Sequence, residues 1–169
     1  MKTILFILDE FHVGGVTSFV KQYTQVALNS GHKVIILGFR GNLSNPQEFF
    51  KSCEVLVIDR KISYSLLGLI KCFFSFFPSL VKVLSFKKVN HIHFSMTWTT
   101  LFTFCYLPVW KLKRTITFYG AQHLESTFDI DEAGNSVYLT NFNYNLKSYF
   151  TRNAQLLSLN GCEVIITFS

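Results

Sequence analysis

The sequence predicts an α/β fold in which a doubly wound, mostly parallel sheet of about six strands carries helices on both faces. Strand-like apolar runs alternate with helical segments along all 169 residues, without internal repeats or low-complexity tracts. The first run, residues 3–8, begins with β-branched Thr3 and Ile4 and is otherwise apolar, as expected of a central strand covered on both faces. A chain of this length can bury its own core, so we expect one domain over residues 1–169.

The order of the elements follows from apolar periodicity and from the residues that end each segment. A strand over 3–8, a helix over 16–29 ended by Gly31 and His32, and a strand over 33–39 form a βαβ unit with a right-handed crossover. The other predicted strands are 54–58, 90–94, 115–119 and 163–168. The other predicted helices are 64–76 and 79–87, which Pro78 separates, then 98–111 and 138–158; residues 40–46 and 120–135 are predicted loops.

The most informative stretch is residues 2–19, KTILFILDEFHVGGVTSF, which reads as a strand, a turn with paired glycines and a helix start. Glycines at this turn allow close approach to a ligand, and Thr17 and Ser18 can cap the helix. Backbone N–H groups at Gly14, Gly15, Val16 and Thr17 would then face an anion. A phosphate or diphosphate site and a plain strand-to-helix turn both remain open from the glycine spacing alone.

The sequence lacks the motifs of several well-known classes of nucleotide-binding and catalytic site. The sequence has no G-x-G-x-x-G, no G-x-x-x-x-G-K-[ST] and no G-x-S-x-G, which disfavours a dinucleotide site, a P-loop NTPase and a serine hydrolase. The four cysteines, at positions 53, 72, 105 and 162, form no C-x-x-C pair. They predict reduced thiols and neither a zinc site nor a disulfide framework.

Positive charge is concentrated in the middle of the chain. The net charge is +6, and no acidic residue occurs between Asp59 and Glu125. Nine basic residues lie there among Phe, Leu and Trp, which fits a face touching an anionic membrane or a lipid-linked substrate, or else an ordinary solvated helix face. No nucleic-acid motif accompanies the charge, so we expect no nucleic-acid partner. Neither a signal peptide nor a membrane span is predicted, because Asp9 ends the first run and Pro78 divides the longest one.

Ligands of open parallel sheets bind beyond the carboxyl ends of the strands. Those positions here are 9–15, 39–41, 95–97, 119–123 and 169. His12 and Ser95 are candidates for substrate contact. His91 and His93 share one face of a strand, where acceptor contact, a buried hydrogen-bonded pair or a metal pair are all possible. Residues 129–131 spell D-x-D, which fits a metal–nucleotide motif or a solvated acidic loop.

The order of the motifs resembles the N-terminal half of family-4 glycosyltransferases with the B-type two-domain fold. These motifs are VGGV after the first strand, GHKVIIL, the H-x-H of residues 91–93, an aromatic residue plus Gly at 119–120, and VIITFS at the end. The resemblance covers nearly the whole chain. It implies a Rossmann-like N-terminal domain whose C-terminal nucleotide-sugar domain is absent from this chain.

What the resemblance implies about function is a retaining transfer, of the hexosyltransferase type, from a nucleotide-diphosphate sugar to a polysaccharide or glycolipid acceptor. The nucleotide sugar is a co-substrate, and no metal or other cofactor is expected. The implied location is cytoplasmic and peripheral at the inner face of the membrane. We do not expect this half to turn over alone. The alternative is a noncatalytic α/β module that binds an anionic membrane surface or a protein partner.

The resemblance also assigns residues. Gly14 and Gly15, with Val16 and Thr17, match the turn that faces the donor phosphates. The acceptor-binding residues are then His12, His93, Ser95 and Ser169. Tyr119 stands before Gly120 where the family has a histidine, and its unperturbed pKa near 10 makes it a poor proton carrier beside imidazole. His123 is close enough in sequence to share that space, so Tyr119 and His123 are the catalytic candidates.

Overall fold

The computed structural model describes residues 1–63, 65–95, 97–118, 128–130, 136–138, 153–154, 157–158 and 160–167. Eight strands lie within these residues: β1 Thr3–Glu10, β2 Lys33–Phe39, β3 Glu54–Ile58, β4 His91–Phe94, β5 Lys113–Phe118, β6 Phe128–Ile130, β7 Ser136–Tyr138 and β8 Val164–Thr167. The helices with defined ends are α1 Gly15–Asn29, α2 Pro46–Phe49, α3 Leu66–Phe86, α4 Thr97–Phe104 and a 3-10 helix, Leu107–Lys111.

Six of the strands form one sheet in the order β3-β2-β1-β4-β5-β8, with every neighbouring pair parallel. The predicted fold class is therefore confirmed. The chain order reverses between β1 and β4, which pair side by side with Ile7 opposite Phe94. In open α/β sheets a crevice forms outside the carboxyl ends of the two strands at such a reversal. β6 and β7 make a separate antiparallel hairpin.

Two apolar cores cover the two faces of the sheet. On one face α1 and the α2 region pack through Val20, Ala27 and Phe50 against Phe6 and Ile36. On the other face α3 and α4 pack against alternate residues of the same strands; its members include Phe76, Leu80, Phe102, Leu5, Ile7, Leu37, Ile92 and Phe94. Because strand side chains alternate between the two covered faces, residues 4–8 of β1 and 34–37 of β2 are all apolar.

Three predicted elements differ from the structure. Residues 66–86 form one helix that continues through Pro78, where two helices were predicted. Pro78 is exposed, so the carbonyl of Phe74, which loses its helical partner there, can accept from water. The predicted helix 98–111 is α4 followed by the 3-10 helix, because Pro108 has no N–H to donate to the Phe104 carbonyl and so cannot continue an α-helix. The predicted loop 120–135 contains β6.

Candidate functional site

The turn between β1 and α1 lies at the reversal of strand order. β1 ends at Glu10, and α1 begins at Gly15 with Gly14 as its N-cap. Gly14 has φ 169°, which is extended backbone that any residue adopts, so neither glycine is required by the backbone conformation. In the described part of the chain no side chain caps this helix, and the prediction that Thr17 or Ser18 can do so was wrong. Both residues lie inside the first turn, beyond the capping position.

The first amides of α1 are open. Among the described residues, the N–H groups of Gly15, Val16 and Thr17 meet no acceptor, whereas the Ser18 N–H donates to the Gly14 carbonyl at 3.0 Å. No acidic side chain lies in the first turn to neutralise the positive end of the helix. A Cβ built on Gly14 or Gly15 would meet no atom of the described residues within 4 Å. The turn therefore presents unpaired donors to an open space.

The loop after β2 braces this turn. The Val13 N–H donates to Oδ1 of Asn42 at 2.7 Å, and the Leu43 N–H donates to the Phe11 carbonyl at 2.9 Å. Gly41 packs so tightly that an added Cβ would lie 2.2 Å from the Phe11 carbonyl oxygen. These contacts fix the path of the chain into α1 without using the amides of its first turn.

His12 and Glu10 lie at the entrance of the turn. His12 Nε2 is 2.6 Å from Glu10 Oε2, and the His12 side chain is about half exposed. Oε1 of the same glutamate accepts from the Ile62 N–H at 2.7 Å, which ties the segment before α3 to the end of β1. His12 is therefore oriented by Glu10 and accessible from solvent.

Asp9 caps the N-terminus of the neighbouring helix, α4, and does not face a ligand. Its Oδ1 accepts from the N–H of Thr99 at 2.9 Å and from the Thr99 hydroxyl at 2.7 Å. Burial raises the pKa of the Asp9 carboxyl, and the hydrogen bonds from Thr99 and from the Trp98 backbone oppose that rise. Two helices, α1 after β1 and α4 after β4, begin at the strand reversal. Because Asp9 caps the first turn of α4, the N-terminus of α1 is the one of these two that stays open.

Ser95 follows β4 at the same edge of the sheet. Its N–H donates to the Ile7 carbonyl at 3.1 Å, so it lies beside the end of β1. The side chain is 1 % exposed, and its Oγ has no hydrogen-bond partner among the described residues. Alternation along the strand puts Ser95 on the α1 face of the sheet, with His91 and His93. An unpaired buried hydroxyl is costly, which makes Ser95 a strong candidate for ligand contact.

His93 is built into the sheet. Nδ1 lies 2.8 Å from Oγ1 of Thr115, and Nε2 lies 2.9 Å from Oγ1 of Thr117, in both cases within hydrogen-bond distance. Burial, with a further contribution from His91, lowers the pKa of His93 to about 4, so the ring is neutral at pH 7. Both ring nitrogens are occupied and 4 % of the residue is exposed, a geometry that favours the buried hydrogen-bonded alternative over acceptor contact.

The remaining candidates lie outside the described residues. These are Tyr119, His123 and Ser169, and their roles stay predictions. Of the D-x-D motif, Asp129 lies in β6 and Asp131 is outside the described residues. Within the described part of the chain, no group of three or more His, Cys, Asp or Glu side chains is arranged to hold a metal ion.

Structural comparison finds the same fold in several solved proteins. A sucrose-phosphate synthase from Thermosynechococcus elongatus superimposes with a TM-score of 0.70 at 10 % identity, over 100 % of this chain and 43 % of that one. A UGT transferase from Siraitia grosvenorii, solved with UDP, gives 0.62 at 11 % identity, over 98 % and 44 % of the two chains. MurG of Acinetobacter baumannii gives 0.54 at 10 % identity, over 99 % and 41 %.

Sequence comparison gives no such relatives. No family model matches the chain, and no curated protein matches it. The structural likeness at this identity shows the fold alone: this chain has the Rossmann-like architecture of one half of a B-type glycosyltransferase. It spans less than half the length of the three matched structures.

Proposed function

We propose that this chain is the acceptor-binding N-terminal half of a B-type glycosyltransferase. It would act with a nucleotide-diphosphate sugar as donor and a polysaccharide or glycolipid as acceptor. The observation that carries the proposal is the unpaired, unobstructed start of α1 at the reversal of strand order. Membership of family 4, the retaining outcome and the hexosyl specificity rest on the motif order alone and belong to the same proposal.

The chemistry of the proposed donor contact is electrostatic. When the bond between the sugar and the diphosphate breaks, negative charge grows on the leaving phosphate oxygens. The amides of Gly15, Val16 and Thr17 would donate to those oxygens, and they are already oriented by the helix, so little reorganisation is needed. The missing side chains at Gly14 and Gly15 leave the space that a diphosphate requires.

On the acceptor side, Ser95 and His12 are the described residues best placed to bind a sugar hydroxyl. The Ser95 Oγ has an unused donor and two unused lone pairs among the described residues, and it lies at the end of β4 next to β1. His12 approaches from the exposed side. His93 would act through the sheet, by fixing β4 against β5 below Ser95. Tyr119, His123 and Ser169 complete the proposed site, with Tyr119 or His123 as proton carrier.

Titration calorimetry with oligosaccharide and lipid-linked acceptors tests the acceptor half of the proposal. We expect Ser95→Ala to weaken acceptor binding roughly five- to tenfold through loss of one hydrogen bond, with unchanged or slightly higher stability because an unpaired buried hydroxyl is removed. Ser30→Ala, at the opposite end of α1, is the matched control. Equal affinities for wild type and Ser95→Ala, or no saturable binding of any carbohydrate, would contradict the proposal.

A noncatalytic module that binds an anionic membrane or a protein partner is the second candidate. It is favoured by the large exposed side chains of α3, among them Leu67 and Phe74. The two candidates differ in one consequence: the module would bind vesicles with no saturable affinity for nucleotide sugars, and Gly15→Val would change nothing. A cytoplasmic enzyme with peripheral contact at the inner face of the membrane would show both kinds of binding.

A further inference from the structure

The outward face of α3 is apolar where a surface helix is normally polar. The inner face buries Cys72, Phe76, Leu80 and Val83. On the opposite side Leu67 is 71 % exposed, Phe74 is 69 % exposed and Ile70 is 45 % exposed. Their spacing of three and four residues puts them on one stripe of the helix. Large apolar side chains grouped in this way mark an interaction site.

The apolar surface extends beyond α3. The rings of Phe77 and Tyr106 meet edge to face at 5.8 Å, which puts the following 3-10 helix beside α3. That helix exposes Leu107 by 79 % and Trp110 by 47 %. Trp at the margin of an apolar surface is characteristic of the water–lipid boundary, since its ring is apolar and its N–H is polar.

Positive charge borders this surface. Lys71 and Lys82 are exposed on one flank of the α3 stripe, and Lys111 is exposed on the 3-10 helix. None of the three forms a salt bridge with a described residue. No acidic residue occurs from position 60 to position 124 in the sequence, so nothing in this stretch opposes the positive potential.

We propose that the α3 outer face, defined by Leu67, Ile70, Lys71, Phe74 and Lys82, docks on an anionic lipid surface. α3 then lies along the membrane plane at the depth of the headgroups, where water still reaches the Phe74 carbonyl, and only the ends of its apolar side chains touch the upper acyl chains. The lysine stems reach sideways to the headgroups. An anionic bilayer offers acyl chains and negative charge together, which is the combination that this face matches.

Two other occupants fit less well. By length and composition α3 could cross a membrane, but its inner face belongs to the core formed with Leu37 and Ile92. Extracting it would expose that core and bury Lys71 and Lys82 in lipid. A second copy paired about a two-fold axis would set the lysine flanks of both copies near each other without acidic partners.

Docking in this orientation has a consequence for the acceptor, which rests on the proposed function. α3 begins after the carboxyl end of β3, and the glycine turn follows the carboxyl end of β1 in the same parallel sheet. The start of the docked helix and the proposed site therefore share one edge of the sheet. An acceptor attached to a lipid would reach that edge without leaving the membrane, which favours a glycolipid over a free polysaccharide.

Co-sedimentation of the full chain with vesicles tests the docking surface, without any sugar present. Phosphatidylcholine vesicles with increasing phosphatidylglycerol serve as the probe, at low and physiological salt. Paired variants are Leu67→Gln with Phe74→Gln, and Lys71→Gln with Lys82→Gln. Val26→Gln is the matched control, because Val26 is 66 % exposed on α1, on the other face of the sheet. Circular dichroism and sedimentation velocity establish the folding and the association state of each variant.

We expect the vesicle partition coefficient to rise with phosphatidylglycerol content and to fall with salt. The apolar pair should lose at least roughly tenfold, the lysine pair roughly 25-fold, which is about fivefold for each lysine, and Val26→Gln nothing. No partitioning of wild type, equal loss in the Val26→Gln control, or a dimer that dissociates in the Leu67→Gln and Phe74→Gln variant would overturn the docking proposal. Vesicle binding is measured apart from sugar binding, so a chain that docks but binds no nucleotide sugar or acceptor would refute only the proposed function.

Discussion

Two histidines two positions apart have different surroundings and a shared partner. Oγ1 of Thr115 lies 2.9 Å from Nε2 of His91 and 2.8 Å from Nδ1 of His93, so one hydroxyl bridges both rings. The rings of Phe6 and Tyr23 pack against His93 with centroids 5.0 and 5.7 Å away. The pair is a polar layer inside the α1 face of the sheet, which fixes β4 against β5.

This layer predicts a stability that depends on pH. The pKa of His93 is lowered from 6.5 to about 4, and burial also lowers that of His91. Between pH 6.5 and pH 4 His93 binds a proton in the unfolded chain but stays neutral in the native protein. The free energy of unfolding therefore falls as the pH falls toward 4. Between pH 7 and pH 5 the His93 contribution to this loss is about 2 kcal/mol. Urea denaturation at both pH values should show this loss in wild type beyond that in His93→Gln, whose amide can reach both threonines. Equal losses in the two proteins would contradict the assignment.

Residue roles were predicted unevenly from the sequence. The positions of the glycine pair and of Ser95 after strand ends could be predicted because a strand end is a local pattern, and their roles stay predictions. The pairing of Asp9 with Thr99, 90 positions apart, was missed because helix capping by a side chain from another element leaves no local mark. The one usable signal was an acidic residue directly after an apolar strand. His93 lies on the same face of the strand as His91, as predicted. Its contacts with Thr115 and Thr117 depend on the pairing of β4 with β5, which apolar periodicity does not specify.

At the scale of elements, the connection between β1 and α1 is fixed by contacts with the loop that follows β2. Gly41 approaches the Phe11 backbone so closely that its hydrogen atom could not be replaced by a methyl group. At Gly15, by contrast, an added Cβ would have no described atom within 4 Å. The two glycines therefore serve different purposes, although they border the same turn.

The contrast gives a matched pair of substitutions. Gly41→Ala would put a methyl group 2.2 Å from a carbonyl oxygen that cannot move without displacing β1, so we expect a loss of about 2 kcal/mol or more in the free energy of unfolding. Gly15→Ala should leave stability unchanged or raise it by about 0.5–1 kcal/mol, because alanine favours the helix. Chemical denaturation measures both. A loss in Gly15→Ala as large as that in Gly41→Ala would show that the turn is not open.

Strands and helices were predictable to different degrees. β2 and β3 have the predicted bounds because apolar runs between polar residues mark a strand clearly. The prediction divided α3 at Pro78 because proline removes one backbone hydrogen bond from a helix. The helix continues because Pro78 faces solvent, where water can replace that bond. The small hairpin of β6 and β7 was missed because three-residue strands carry too short a pattern for periodicity to detect.

At the scale of the whole molecule, the sheet order brings separate pieces of sequence to one place. β1 and β4 are far apart in the chain but adjacent in the sheet, so the glycine turn and Ser95 meet at the strand reversal. Asp9 closes α4 at this edge, which leaves the first turn of α1 as the open source of positive potential there. The α/β class followed from the alternation of elements, whereas the order of strands needed the structure.

The central claim is that the first amides of α1 bind the diphosphate of a nucleotide sugar. The most direct measurement is a nitrogen-15 NMR titration of the chain with UDP, GDP, ADP and dTDP and their sugars. We predict saturable shifts of the Gly15, Val16 and Thr17 amide resonances with at least one of them. The affinity should fall at least roughly fivefold in Gly15→Val, whose side chain fills the open space, and stay unchanged in Val26→Gln on the same helix. Saturable binding that leaves these three amides unshifted, or an affinity that Gly15→Val does not change, would contradict the account.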